Sequence, residues 1–196
     1  MPTVLNVGAG PATEIPAHYS GWKHLRLDID PKSGADVVCD ARLLEGRIPP
    51  ATYDAIYCCH NLEHYYPHEG MQVLRGFAHV LKPDGFAEFR VPDIQEVLEV
   101  AVKQGLDIED ELYMSPAGSI RLLDALWGWQ EKIARSGNDF YAHKTGFSWK
   151  SLVRTLAQAQ FAAVYRVPPL ALFELRAIAF RQAPTDAQRK LFAAAI

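Results

Sequence analysis

Within its first hundred residues this chain repeats one pattern: a short apolar run that stops on glycines, carboxylates, or an imidazole and an amide. Each run has the length of a buried strand, and helical periodicity fills the spaces between them. Such alternation predicts an α/β fold built on a parallel sheet with helices on its faces. In open sheets of this kind ligands gather at the carboxyl ends of the strands, and that is where the polar groups of this chain accumulate.

The early runs are Val4 to Val7, Leu25 to Ile29, Asp36 to Cys39, Ala55 to Cys59 and Phe86 to Val91. Two later runs, Phe161 to Val167 and Phe173 to Phe180, predict a hairpin-like pair joined through Pro168-Pro169. A helix is expected from Gly70 to Leu81, with Leu74, Phe77, Ala78 and Leu81 on one face and Lys82-Pro83-Asp84-Gly85 as its stop. Asp93 and Glu96 have capping-box spacing, ahead of a stripe of Ile94, Val97, Leu98, Ala101 and Val102. A further helix is expected from Ser115-Pro116 through Leu122, Leu123, Leu126, Trp129 and Ile133 to Ser136-Gly137. Another starts at Ser148 and buries Trp149, Leu152, Val153, Leu156 and Ala157, and in the tail Thr185 and Gln188 repeat the capping-box spacing before Leu191 and Phe192. Asp93 to Tyr141 is longer than a crossover needs. It reads as a helical insertion, a lid over the carboxyl edge of the sheet, within a single domain of residues 1–196. A helical pack that only supports the core is the alternative.

Composition narrows the partners. Net charge is -3 and no block of like charges stands out, so no surface for a nucleic acid is expected. No apolar run approaches the roughly 20 residues that span a bilayer. The chain opens on a strand, with neither a basic start nor a cleavable apolar segment. A soluble, cytoplasmic protein with no membrane partner is expected. Cys58 and Cys59 point to opposite faces of one strand, so they and Cys39 are expected as reduced thiols, not as a disulfide or a metal clamp.

Two stretches point to a ligand. Val4 to Val7 runs into Gly8-Ala9-Gly10-Pro11-Ala12-Thr13, where glycines without a Cβ let the backbone approach a bound molecule. Leu27-Asp28-Ile29-Asp30-Pro31 ends the neighbouring run in carboxylates, which can accept hydrogen bonds from both hydroxyls of a ribose. Asp28 and Asp30 face the same way if the strand continues, and Asp28 is favoured. Asp40-Ala41 closes the third run, where a carboxylate and a backbone amide can read the edge of an adenine; Asp40 can equally be a helix N-cap or a turn residue. Tyr53 to His60 gives a fourth strand with a polar tip, followed by Asn61-Leu62-Glu63-His64. Pro11 and Pro16 require the first helix to be short or absent. A dinucleotide needs a helix N-terminus for its pyrophosphate. That lack, and Thr13 at the last glycine position of the dinucleotide fingerprint, disfavour an NAD-dependent oxidoreductase.

Together with Val80-Leu81-Lys82-Pro83-Asp84-Gly85 before a strand, these motifs resemble the class I S-adenosylmethionine-dependent methyltransferases. The resemblance runs from Val4 to Val91 and, more loosely, from His143 to Phe180. It implies a Rossmann-like sheet of seven mostly parallel strands with the last one antiparallel, helices on both faces, and the insertion after the fifth strand. It implies S-adenosylmethionine as cofactor and S-adenosylhomocysteine as product, a molecule without phosphate that tolerates the missing helix. The residues it implies around the cofactor are Asn6, Gly8, Ala9 and Gly10 for the methionine part and Asp28, Ile29 and Asp30 for the ribose. Asp40 and Ala41 fall at the adenine, and His60 and Asn61 at the tip of the fourth strand, beside the reactive methyl. Two departures stand out. Asn6 occupies a place where relatives carry an acid, so the cofactor's amino group loses a charge partner. Gln160-Phe161 stands where relatives have Gly-Phe, and a non-glycine residue in a left-handed cap costs on the order of 1 kcal/mol.

Methyl transfer is an in-line displacement from a sulfonium with a neutral leaving group, so an enzyme mainly aligns the nucleophile and manages its proton. Histidine suits proton removal near neutral pH. His64 and His143 are the base candidates and His60 sits beside the methyl, although each can equally serve the backbone. His60, His64 and His68 recur at intervals of four, but Pro67 interrupts any helix carrying all three, and no metal site is expected. Cys59-His60-Asn61-Leu62 lacks the Asn/Asp-Pro-Pro-aromatic tetrad of enzymes that methylate base amines, which again disfavours nucleic acid. Tyr113, Trp127, Trp129, Phe140 and Tyr141 suit a small-molecule pocket or a core. The expected function is methyl transfer to an oxygen or nitrogen of a small molecule or glycan-type acceptor. A non-catalytic module that binds S-adenosylmethionine is the alternative.

Overall fold

The apolar runs become strands of one sheet. The computed structural model describes residues 1–10, 14–116 and 118–192. Its strands are β1 (Thr3–Val7), β2 (Lys23–Asp28), β3 (Val37–Val38), β4 (Tyr53–Cys59), β5 (Leu81–Pro92), β6 (Glu111–Ser115), β7 (Gly118–Arg121), β8 (Ala163–Val167) and β9 (Glu174–Phe180). The helices are α1 (Leu44–Arg47), α2 (Pro67–Val80), α3 (Ile94–Gln104), α4 (Leu122–Trp127), α5 (Gln130–Ser136), α6 (Trp149–Gln158) and α7 (Asp186–Leu191). Seven strands form the main sheet in the order β3-β2-β1-β4-β5-β9-β8. The pairings from β3 through β5 are parallel, and β9 runs antiparallel to both β5 and β8.

Alternation along the strands sorts their side chains onto two faces. Leu5, Val7, Ile56, Cys58, Phe89 and Ala177 meet Leu44, Val73, Leu74, Phe77, Leu152 and Leu156 from α1, α2 and α6. Val4, Ala55, Tyr57, Phe86, Ile178 and Phe180 face the other way, against Tyr19, Trp22 and Phe192. The cover on this second face is thin. Among the described residues between β1 and β2, the only helical piece is a 3-10 turn at Ala17–Tyr19, as the prolines require. Cys58 and Cys59 part to opposite faces and all three cysteines are free thiols. No helix of the described residues is long and apolar enough to cross a membrane.

Several expectations change in detail. Helix α2 starts at Pro67, earlier than Gly70, because proline fits the first helical position and Glu69 Oε2 accepts from Tyr66 N at 3.1 Å. It ends at Val80, and β5 follows at once, with Lys82 to Gly85 bulging out of register between Leu81 and Phe86. Lys82 Nζ meets Asp54 Oδ1 at 2.7 Å there. The third run pairs only over Val37–Val38, and Ile29 lies past the end of β2.

The helix expected from Ser115 to Gly137 does not form as one piece. Glu111–Ser115 and Gly118–Arg121 pair as an antiparallel hairpin, and α4 and α5 are separated at Gly128. Gly128 has φ of 87°, and a Cβ there would lie 2.1 Å from Tyr141 O, so the chain around Ala142 passes directly against it. The segment after β5 is therefore mixed, not wholly helical. Its small core is Val97, Ala101, Leu112 and Leu122. Leu98 is 48% exposed and Val102 82%, because that core reaches only one edge of the α3 stripe.

Asp93 caps α3 by accepting from Glu96 N at 3.2 Å, but the box does not close because Asp93 N donates to Phe173 O. Thr185 and Gln188 form their box as the spacing predicts, and Ser148 caps α6 through Ser151 N. Gln160 takes φ of 68°, the left-handed conformation expected for it past α6. Gln160→Gly should raise unfolding stability by about 1 kcal/mol, read as a higher midpoint at unchanged slope in a urea titration.

Candidate active site

The carboxyl ends of β1, β2 and β4 border a cavity of ≈ 380 Å³. Gly8 N and Ala9 N both donate to Leu27 O, at 2.9 and 3.4 Å, which folds the glycine turn over the end of β2. Gly8 has φ of 71°, and a Cβ on it would fall 2.2 Å from Asn61 Nδ2, so only glycine leaves this floor clear. Asp28 Oδ2 accepts from Gly10 N and Oδ1 from Asp30 N, each at 2.8 Å. Each oxygen keeps a lone pair for a further donor. Ile29, Asp30, Cys39, Ala41, His60 and Asn61 also border the space, with Phe140 and Tyr141 from the segment after β5.

Two expected residues stand outside this border. Asn6 alternates onto the second face of the sheet and is 4% exposed. The Asp40 carboxylate takes the capping role, accepting from Arg42 N at 2.9 Å and forking with the Arg42 guanidinium. Asp30 caps too, through Lys32 N at 2.8 Å. Pro11, Ala12 and Thr13 lie outside the described residues.

A second cavity of ≈ 920 Å³ adjoins the first. Tyr113, Ile120, Trp129, Phe173, Arg121 and His143 are among its walls, and His60 is the residue common to both spaces. Trp127 borders neither and is 49% exposed.

Strand β4 delivers His60 in a left-handed conformation, φ of 46°, with its amide bonded to Arg90 O at 2.9 Å. Its Nδ1 lies 3.3 Å from Glu63 Oε1 and its Nε2 3.5 Å from Glu174 Oε2. Burial opposes the charge, yet the two carboxylates hold the imidazole pKa up to about 10. His60 is therefore a cation at neutral pH and not a proton acceptor. Behind it Arg90 clamps Glu174 through Nε at 2.8 Å and Nη2 at 2.6 Å and reaches Tyr57 Oη at 2.8 Å. Burial also opposes ionisation of Glu174, but His60, Arg90 and the Leu170 amide bring its pKa down to about 2.

His64 closes a 3-10 turn at Leu62–His64, and His68 belongs to α2, so the four-residue repeat does not share one helix face. His64 instead faces His143, their ring centroids 5.2 Å apart. His64 Nδ1 bonds Ala142 O at 3.0 Å and His143 Nδ1 bonds Ala125 O at 3.1 Å. Sequence reasoning missed Glu63, Arg90 and Glu174. The signal for the last two was a charge inside each of two apolar strands, which requires a partner nearby.

Comparison with known proteins decides the fold. A methyltransferase from Archaeoglobus fulgidus, described as S-adenosylmethionine-dependent, superposes with TM-score 0.56 at 15% identity, over 91% of this chain and 86% of that one. The fold is that of S-adenosylmethionine-dependent methyltransferases. A second such methyltransferase, from Methanosarcina mazei, superposes with TM-score 0.53 at 14% identity, over 91% and 90%. The Burkholderia thailandensis 1,6-didemethyltoxoflavin-N1-methyltransferase, solved with 1,6-didemethyltoxoflavin and S-adenosylhomocysteine, gives 0.52 at 21%, over 91% and 70%. No protein-family model and no curated protein matches the sequence.

Proposed function

We propose that this chain is an S-adenosylmethionine-dependent methyltransferase. In this reading the cofactor lies over the glycine turn, and the acceptor, a small molecule or glycan-type precursor offering oxygen or nitrogen, enters the larger cavity. The observation that carries it is the pair of adjoining cavities joined at His60, one floored by Gly8 and edged by Asp28, the other walled by aromatic side chains. The residues fit the group. Asn61 Oδ1 is buried at the cavity without a hydrogen-bond partner, which suits a donor on the ligand, and Asp28 retains acceptor capacity for ribose hydroxyls. Ala41 and Cys39 border the place for the adenine. With only a 3-10 turn among the described residues between β1 and β2, the glycine turn suits a ligand without pyrophosphate. A small-molecule acceptor is favoured by likeness to the Burkholderia enzyme and by Tyr113, Trp129 and Phe173 in the second cavity.

When bound, the cofactor supplies the electrophilic methyl on its sulfonium. The chain's own work is alignment and proton handling. His60 is already protonated and serves as a fixed cation between two carboxylates. His64 and His143 hold their Nδ1 protons against carbonyls, which leaves each Nε2 lone pair free. Burial lowers the His143 pKa, so its ring is neutral at pH 7. Calorimetric titration with S-adenosylhomocysteine should give saturable binding and titration with NAD none; the reverse rejects the assignment. His64→Ala should lower turnover by about 100-fold or more while leaving S-adenosylhomocysteine affinity nearly intact. A variant with normal turnover removes His64 from the mechanism.

A further inference from the structure

We infer that Glu63, His64 and His143 form a binding site for a divalent transition-metal ion on the partition between the two cavities. One donor atom from each of the three lies within 4.8 Å of a donor atom of the others, among the described residues. A backbone carbonyl only accepts, so the bonds from His64 Nδ1 to Ala142 O and from His143 Nδ1 to Ala125 O fix the proton on Nδ1 of both rings. Both Nε2 atoms then carry the lone pair, which serves either an ion or a proton, so a bound ion takes the place of proton acceptance at these two rings. A histidine that ligates a metal is oriented in the same way, by a hydrogen bond from its other ring nitrogen.

Glu63 is the second observation. It is 1% exposed, and neither carboxylate oxygen has a hydrogen-bond partner. His60 Nδ1 approaches Oε1 to 3.3 Å without making a hydrogen bond, and Oε2 is left with nothing. Even with the His60 cation 3.3 Å from Oε1, a buried carboxylate oxygen that meets neither a donor nor an ion is costly, and Oε2 is in that condition. The place is also held ready by the backbone. Glu63 O accepts from Lys144 N at 2.8 Å and Thr145 N at 3.1 Å, which ties the segment carrying His143 to the turn carrying Glu63 and His64.

Two imidazoles and one carboxylate suit Zn²⁺ or a neighbouring first-row ion, not an all-oxygen ion such as Ca²⁺. Three protein ligands leave coordination positions open. His64 borders the first cavity and His143 the second, so those positions lie where an acceptor oxygen would arrive. This last role rests on the methyltransferase reading; the metal site itself does not. The spacing of His60, His64 and His68 gave no metal site, and the proposed trio instead joins His64 to a histidine from the far end of the segment after β5.

The test is calorimetric titration of chelator-stripped protein with ZnCl₂, alongside Glu63→Gln, His143→Ala and the control His68→Ala. One equivalent should bind to the wild type and to His68→Ala, and binding should disappear in the other two. Zinc-soaked crystals of the wild type, with anomalous scattering between the three side chains, supply the same answer if a variant fails to fold. No binding by folded wild type, undiminished binding by Glu63→Gln and His143→Ala, or an anomalous peak elsewhere overturns the site. S-adenosylhomocysteine titrations on the same samples keep the two readings apart. Zinc bound without S-adenosylhomocysteine defeats the methyltransferase reading alone, and S-adenosylhomocysteine bound without zinc defeats the metal site alone.

Discussion

Asp28→Ala lowers the affinity for S-adenosylhomocysteine by about tenfold or more, because a hydrogen bond to a charged acceptor is worth about 1.5–3 kcal/mol. The carboxylate does two jobs at once. It fixes the glycine turn through Gly10 N and the end of β2 through Asp30 N, both at 2.8 Å, and it offers its remaining lone pairs to the cavity. Alanine removes both, so the loss includes a looser turn. Asp28→Asn separates the two contributions, since the amide keeps one acceptor oxygen but loses the charge; it should fall between wild type and alanine. Calorimetry on the three proteins reads the effect. Unchanged affinity in the alanine variant moves the ribose contact to Asp30, whose own carboxylate is occupied at the Pro31–Ser33 turn, or rejects the assignment.

The second large effect is on stability. Glu88 sits in β5 on the thinly covered face, with no solvent exposure, and holds Arg176 Nε at 2.7 Å and His18 Nε2 at 2.8 Å. Glu88→Ala leaves the Arg176 guanidinium without its buried counter-ion, and breaking such a pair costs about 3–5 kcal/mol. His18 also anchors the turn that closes this face, packing on Tyr19 and Phe192 at centroid distances of 4.3 and 5.2 Å. The turn and the C-terminal helix α7 should therefore loosen first. Burial alone would raise the Glu88 pKa, but His18 and Arg176 outweigh it and hold it below its ordinary 4.5. A depressed carboxylate stabilises the fold above its unfolded pKa and loses that contribution as pH falls through its folded pKa. The stability gap between wild type and Glu88→Ala should accordingly be full at pH 7 and shrink at pH values below 4.5. Urea titrations at several pH values read this directly, and a gap that stays constant down to acid pH contradicts the network.

The strands were legible because period-two alternation and buried apolar runs report burial directly, and burial is what a central strand obeys. The pairing of the Gly8 turn with Asp28 was legible for a related reason, since adjacent parallel strands end side by side. Gln160 was legible as a backbone problem, where a missing glycine leaves a left-handed cap to another residue. The hairpin at Glu111–Arg121 was not. Its apolar residues satisfy helical spacing as well as strand spacing, and the choice is made by Val97, Ala101 and Leu112 packing around Leu122. Asp40 could be read as a ligand contact or as a cap, and the nearby Arg42 settles its carboxylate on the capping side. The Glu63–His60 contact is local, but the links from His60 to Glu174 and from Glu174 to Arg90 join segments far apart in sequence, so no local spacing announces them. The same holds for His143 beside His64, which meet only because the chain passes against Gly128 on its return toward the sheet.

The most direct test of the central claim is a crystal structure of the protein grown with S-adenosylhomocysteine. Electron density for the nucleoside should lie over Gly8 to Gly10, with ribose hydroxyls on the Asp28 carboxylate and sulfur pointing toward His60. A crevice left empty, or filled by Asn61 and its neighbours, at saturating ligand, or density at another place on the molecule, would contradict the account.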